Sequence, residues 1–294
     1  MANNDPIVLA HGIARFDFLT AHLLRTLDQF GLNLTLPADG LNYFKGIARH
    51  LRNNGFDVYH SQVSFAAPLN KRAMDLRDEV NKVLALKGAN KVNIIGHSMG
   101  GLDARFMIVN YGMADKVTSL TTIGTPHFGT SFADWGIAHE GDEIIDLVSN
   151  VVDLKGIKDL TTTACAQFND AARNSEATNG VFYQTYSAYE EEQGSVFSTL
   201  QDSWRIINDA EGKNDGLVPV TSQQFVAELV SDDGVTKRIP QKAFPVQADH
   251  LNEISWWDFE QLRNRSGSTL NIVQRILDYE ATIKNVYVDI ARSL

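Results

Sequence analysis

Gly96-His97-Ser98-Met99-Gly100 sets a serine between two glycines, after the apolar run Lys91–Ile95 and before a helical pattern over Gly101–Gly112. A serine hydroxyl is a weak nucleophile unless a base takes its proton and N–H donors hold the oxyanion that forms. A sharp turn from strand to helix exposes the side chain and aims the first helical amides at developing negative charge. That turn is crowded, so the residues two before and two after the serine must be tiny, as Gly96 and Gly100 are. The pentapeptide alone recurs by chance. Its strand–turn–helix setting makes it specific.

Where such a turn carries a nucleophile, its partners follow in the order serine, acid, histidine. Of the eight histidines, only His127, His139 and His250 follow Ser98. His127 comes too soon for an acid to intervene from a later strand, and His139 falls in a helical stretch. His250, after "KAFPVQADH", is the expected base. The acid is expected between Val181 and His250, and Asp215, in an Asn-Asp-Gly turn before an apolar stretch, suits the end of a strand. Asp202 and Asp209 are rivals; Asp249 adjoins the histidine and is badly placed to hold its far nitrogen. Two amides complete the set: Met99, next to the serine, and Ile13 in "LAHGIARF", where Gly12 permits close backbone approach. His11 reads as structural.

These residues need a frame that brings them to one rim. Short strand patterns (Pro6–Ala10, Phe56–His60, Lys91–Gly96, Val117–Gly124) alternate with helical ones (Leu41–Gly55, Arg72–Gly88, Gly101–Gly112). The alternation predicts right-handed βαβ crossovers and a mostly parallel sheet with helices on both faces. From Pro126 to about Phe182 helical patterns dominate, and Val181–Tyr189 returns as a strand. Thr269–Leu294 reads as an amphipathic packing helix with Leu270, Val273, Ile276, Leu277 and Ile283 turned inward. The expectation is one α/β domain over residues 1–294, with a helical insertion at about 127–180.

Composition narrows the partners. The 294 residues are 44% hydrophobic and 21% charged, ordinary for a globular chain able to bury a sizeable core. A net charge of -10 argues against a nucleic-acid partner. No apolar run reaches the roughly 18 residues of a membrane span. "MANNDP" has no basic or apolar leader, so no signal peptide is visible. The single cysteine, Cys165, excludes an internal disulfide or a zinc–thiolate cluster and reads as a small buried apolar residue.

In order along the chain, "VLAHGIARFD", "YFKGIARHLRNNGFDVY", "KVNIIGHSMGGLDARF", "TTIGTPHFGTSFAD", "KNDGLVP" and "DHLNEI" resemble successive blocks of the bacterial true lipases. These are the secreted triacylglycerol lipases of the Pseudomonas and Burkholderia type. The resemblance implies an α/β-hydrolase fold and hydrolysis of acylglycerol esters at an oil–water interface, outside the cell. It implies Ser98, Asp215 and His250 as the triad and Ile13 and Met99 as oxyanion donors. The chemistry requires no cofactor. Two departures stand out. Met99 replaces the family's usual Gln or His, which leaves the backbone N–H in place. Asn252, a neutral oxygen ligand, stands where the family's structural calcium takes an aspartate. Gly141–Gly156 begins with acidic residues and carries a broad apolar face (Ile144, Ile145, Leu147, Val148, Val151, Val152, Leu154), where the family places a mobile lid; a core-packed helix would show the same pattern. The same triad serves short-chain carboxylesterases, polyester depolymerases and acyltransferases, and the fold alone also permits a binding module. Oligomeric state is not readable from the sequence.

Overall fold

The alternating runs fold, in the computed structural model, into a six-stranded parallel sheet. The structure describes residues 5–13, 20–21, 42–64, 67–139, 148, 154–258, 260–261, 264 and 272–294. In chain order the elements are β1 (Ile7–Ala10), α1 (Ile47–Asn53), β2 (Val58–His60), α2 (Leu69–Lys87), β3 (Val92–His97), α3 (Met99–Asn110) and β4 (Val117–Ile123). Then come α4 (Ser131–Ala138), α5 (Thr162–Thr178), β5 (Phe182–Ser187), α6 (Gln201–Glu211), β6 (Glu228–Val230), β7 (Thr236–Arg238), β8 (Gln241–Ala243) and α7 (Ile272–Arg292). The strand order is β2-β1-β3-β4-β5-β8; β6 and β7 pair separately as an antiparallel ribbon.

Burial explains the sheet. In β1, Ile7 and Leu9 join one hydrophobic cluster while Val8 and Ala10 join another. In β3, Ile95 faces the first cluster and Val92 and Ile94 the second. Successive side chains point to opposite faces, so a sheet covered on both sides needs strands apolar throughout. Because the strands are parallel, their C-terminal ends share one rim. The loops carrying Ile13 and Ser98 leave that rim, and the chain that leaves β8 there runs on to His250.

Several boundaries differ from the sequence expectation. The helix expected over Leu41–Gly55 begins only at Ile47, because Gly46 takes a left-handed conformation at φ 68°. The helix after Ser98 begins at Met99, earlier than its apolar pattern indicates, because the turn is so tight. On α7, Ile276, Ile283, Val286 and Tyr287 face the core, but Leu277 is 54% exposed. Ile276 and Ile283 are two turns apart on one face, and Leu277 lies about 100° round from it. The β6–β7 ribbon has no apolar alternation to announce it. Most of the expected lid, Gly141–Gly156, lies outside the described residues, as do the side chains of Leu270 and Val273. Cys165 is buried and reduced, and burial pushes its thiol up to about 12. Among the described residues no helix is long and apolar enough to cross a membrane.

Candidate active site

Ser98 joins β3 to α3 with φ 57° and ψ −136°. Among the described non-glycine residues only Ser255 shares a positive φ. The strain is held from both sides: the Ser98 N–H donates to the Ile123 carbonyl (2.9 Å), and the Thr125 hydroxyl donates to the Ser98 carbonyl (2.8 Å). A Cβ on Gly100 would lie 2.3 Å from the Ala10 carbonyl oxygen, and one on Gly96 2.8 Å from the Gly101 Cα. The two glycines are therefore steric requirements of the turn. Gly101, not singled out from the sequence, is a third: its Cβ would meet Thr125 Oγ1 at 2.2 Å.

Asp215 and His250 meet. His250 Nδ1 lies 2.8 Å from Asp215 Oδ2, and the His250 N–H donates to the Asp215 carbonyl (2.8 Å). The other carboxylate oxygen, Oδ1, accepts the Leu217 and Val218 N–H groups at 2.9 and 2.7 Å. Asp215 is thus wholly buried with both oxygens occupied, as a buried carboxylate must be. Ser98 and His250 line one apolar cleft with Ile13, Phe132, Ile157, Leu160, Leu217 and Val218.

The loop after β1 passes directly over Ser98. A Cβ on Gly12 would fall 2.9 Å from Ser98 Oγ and 2.6 Å from the Tyr43 hydroxyl. Burial, reinforced by Arg72, lowers His11 to about 3, so its imidazole is neutral. The Val63 N–H donates to its Nε2 (3.3 Å), which leaves Nδ1–H to donate to the Gly12 carbonyl (2.8 Å). Gly12 C=O and Ile13 N–H belong to one peptide plane, so His11 orients the Ile13 amide. Arg72 adds a second hold: it donates to the His11 carbonyl (2.9 Å) and grips Asp103 of α3 through Nε and a terminal nitrogen. Met99, the other expected donor, is buried at the start of α3.

Behind His250 lies a polar pair that the sequence reading did not single out. Burial, then Asp215 and Asp249, raises the Glu253 carboxyl well above the usual carboxylate range. Burial, then His250, holds His97 well below the usual imidazole value. Both shifts favour a neutral acid against a neutral ring. In that state Glu253 Oε2 donates to His97 Nε2 (2.9 Å), and His97 Nδ1–H faces the Tyr43 hydroxyl (2.8 Å). Glu253 Oε1 has no hydrogen-bond partner among the described residues, tolerable for a neutral acid and costly for an anion. The His97 and His250 rings are 4.6 Å apart, so a neutral His97 spares His250 a neighbouring cation. Among the described residues, the His97, His250 and Glu253 ligating atoms, within 4.8 Å of one another, form the one cluster close enough for a metal. The hydrogen bonds just described already use atoms of all three. Proximity in sequence was the available signal: His97 precedes Ser98, and Glu253 lies three residues beyond His250.

The rivals lie elsewhere. Asp202 is half-buried and Asp209 exposed on α6. Asp249 accepts the Leu251 and Asn252 N–H groups (2.9 and 2.8 Å). His127 is buried against Phe225 and bonded to Thr122; His139 is exposed and stacks on Trp135. Asn252 is buried, its amide donating to the Trp256 carbonyl and to Gln261 Oε1.

A family model described as the alpha/beta hydrolase fold matches residues 5–140. The chain is 29% identical over 286 residues to the triacylglycerol lipase of Vibrio cholerae, covering 85% of this chain and 79% of that one. It is 37% identical over 137 residues to the triacylglycerol lipase of Burkholderia plantarii, covering 46% of this chain and 33% of that one. The crystal structure of Bacillus licheniformis lipase BlEst2 in its mature form superposes with a TM-score of 0.59 at 17% identity, over 85% of this chain and 86% of that one. The chain has the α/β-hydrolase fold and is an ester hydrolase similar in sequence to the triacylglycerol lipases of bacteria.

Proposed function

We propose that the chain cleaves acylglycerol esters through an acyl-enzyme on Ser98. His250, with Nδ1 committed to Asp215, uses Nε2 to take the Ser98 proton and then protonates the leaving alcohol. Asp215 fixes the tautomer and stabilises the imidazolium. The Ile13 and Met99 amides hold the oxyanion, each worth about 3 kcal/mol. Water then releases the acid. The observation that carries this reading is the 2.8 Å His250–Asp215 bond beside a strained serine in the same apolar cleft.

The relatives' triacylglycerol activity and the apolar cleft walls favour a lipid acyl chain as the group bound. The lid reading of Gly141–Gly156 and action outside the cell belong to the same proposal. Rates on emulsified triolein against soluble tributyrin test it. A lipase hydrolyses both, with a steep rise once emulsion forms. Turnover confined to tributyrin makes the protein a short-chain esterase, and ester products with added alcohol in place of acid make it an acyltransferase.

A further inference from the structure

Around the loop carrying His250, three oxygens converge on one nitrogen. Gln261 Nε2 lies 2.7 Å from Asp249 Oδ2, 2.7 Å from Asn252 Oδ1 and 2.8 Å from the Ser195 carbonyl. In return, Asn252 Nδ2 donates to Gln261 Oε1 (3.1 Å) and to the Trp256 carbonyl (2.7 Å). Gln261 is 1% exposed. A carboxylate oxygen, an amide oxygen and a backbone carbonyl are the ligand types calcium takes, and the family resemblance puts a structural calcium at Asn252.

The residues present do not fit that ion. Calcium asks for six to eight oxygens at about 2.3–2.6 Å. Here the oxygens already face donors. Asp249 Oδ2 accepts the Phe197 N–H (2.6 Å), and its Oδ1 accepts two further amides. Asn252 Oδ1 accepts the Asp249 N–H (3.2 Å) as well as the Gln261 amide. N–H dipoles pointed at these oxygens repel a cation, and the three oxygens around Gln261 Nε2 bring a single carboxylate.

We propose that the Gln261 carboxamide occupies the place of the structural cation, so that the His250 loop is held by hydrogen bonds and is independent of divalent metal. The amide presents two N–H donors, which three acceptors share. The cross-link ties the Ser195 turn, the Asp249–Asn252 turn and the stretch before α7. Tyr279 on α7 extends it by donating to the Gln247 carbonyl (2.8 Å). Asp258 reinforces it, accepting the Gln261 N–H (2.7 Å) and the Ser198 N–H (2.6 Å).

The test uses the full chain, stripped with EDTA and dialysed, and reads melting temperature and metal content, neither of which depends on the substrate. The wild type is expected to melt at one temperature with excess EDTA and with millimolar calcium chloride, and to carry no stoichiometric calcium as purified. Gln261→Ala is expected to melt lower, and Gln261→Ala combined with Asn252→Asp to regain melting temperature on adding calcium, as a merely structural residue would not allow. A bound calcium at about a hundred times its Kd raises melting by roughly 5 °C. A fall of that size in wild type on adding EDTA, reversed by calcium, overturns the proposal. So does a Gln261→Ala variant that melts like wild type. If Gln261→Ala does not fold, the wild-type measurements decide alone.

Discussion

The Ser98 half of the candidate site and the His250 half are held by different physics. Around Ser98 the positioning is steric. Gly12, Gly96, Gly100 and Gly101 are glycine because a Cβ at each would strike a named neighbour, and strand register fixes which loops meet. Around His250 the positioning is polar. Asp215, Asp249, Asn252 and Gln261 are buried and hold backbone amides and one another. A steric device tolerates no larger residue. A polar device tolerates an isostere of equal hydrogen-bonding capacity and fails when a partner is left unsatisfied.

Substitutions at four positions break or sharpen that contrast. Asp215→Asn should leave the loop in place, since one oxygen can still accept the Leu217 and Val218 amides, but it favours the wrong His250 tautomer. The expected loss is about 10⁴-fold in kcat with little change in melting, read on p-nitrophenyl butyrate. Gly100→Ala should do the reverse. Its methyl overlaps the Ala10 and His11 backbone, so stability falls by about 3 kcal/mol or more in urea unfolding, and activity follows the fold.

Glu253 distinguishes charge from hydrogen bonding. A neutral Glu253 predicts that Glu253→Gln stays within about 1 kcal/mol of wild type. Glu253→Ala, which strands the buried His97 ring nitrogen, should cost about 1–3 kcal/mol. A Gln variant as unstable as the Ala variant contradicts the neutral pair. The smallest effect is expected at Glu280. Burial works to raise its carboxyl, but Lys45 and Lys284 outweigh that and hold it at about 2. A depressed acid contributes stability above its unfolded value, near 4.3, and loses it as pH falls toward 2. Burial also depresses Lys45, so the pair's net worth is less than the Glu280 shift alone implies. Glu280→Gln should therefore be about 1 kcal/mol less stable than wild type at neutral pH, with the difference vanishing in the acid range.

The same contrast governs what was legible in the sequence. The crossovers up to β4 were readable because strands buried on both faces are apolar throughout. The Ser98 turn was readable because steric demands leave glycine as their trace. His250 and Asp215 followed from chain order and an Asn-Asp-Gly turn. The supporting network was not readable: Asp249, Gln261 and Asp258 are residue types found in any loop, and only their burial reveals their work. Glu253 and His97 were hidden for the same reason, since a charged residue type gave no sign that the environment keeps it neutral. The exposed Leu277 shows the limit of counting apolar residues without following their angle round the helix.

Covalent labelling of the folded chain with a fluorophosphonate, mapped by peptide mass spectrometry, tests the central claim most directly. The account predicts one phosphonyl adduct, on Ser98, forming rapidly in wild type and orders of magnitude more slowly in His250→Ala. Ester hydrolysis that persists with Ser98 unlabelled, or an adduct on another serine, would contradict it.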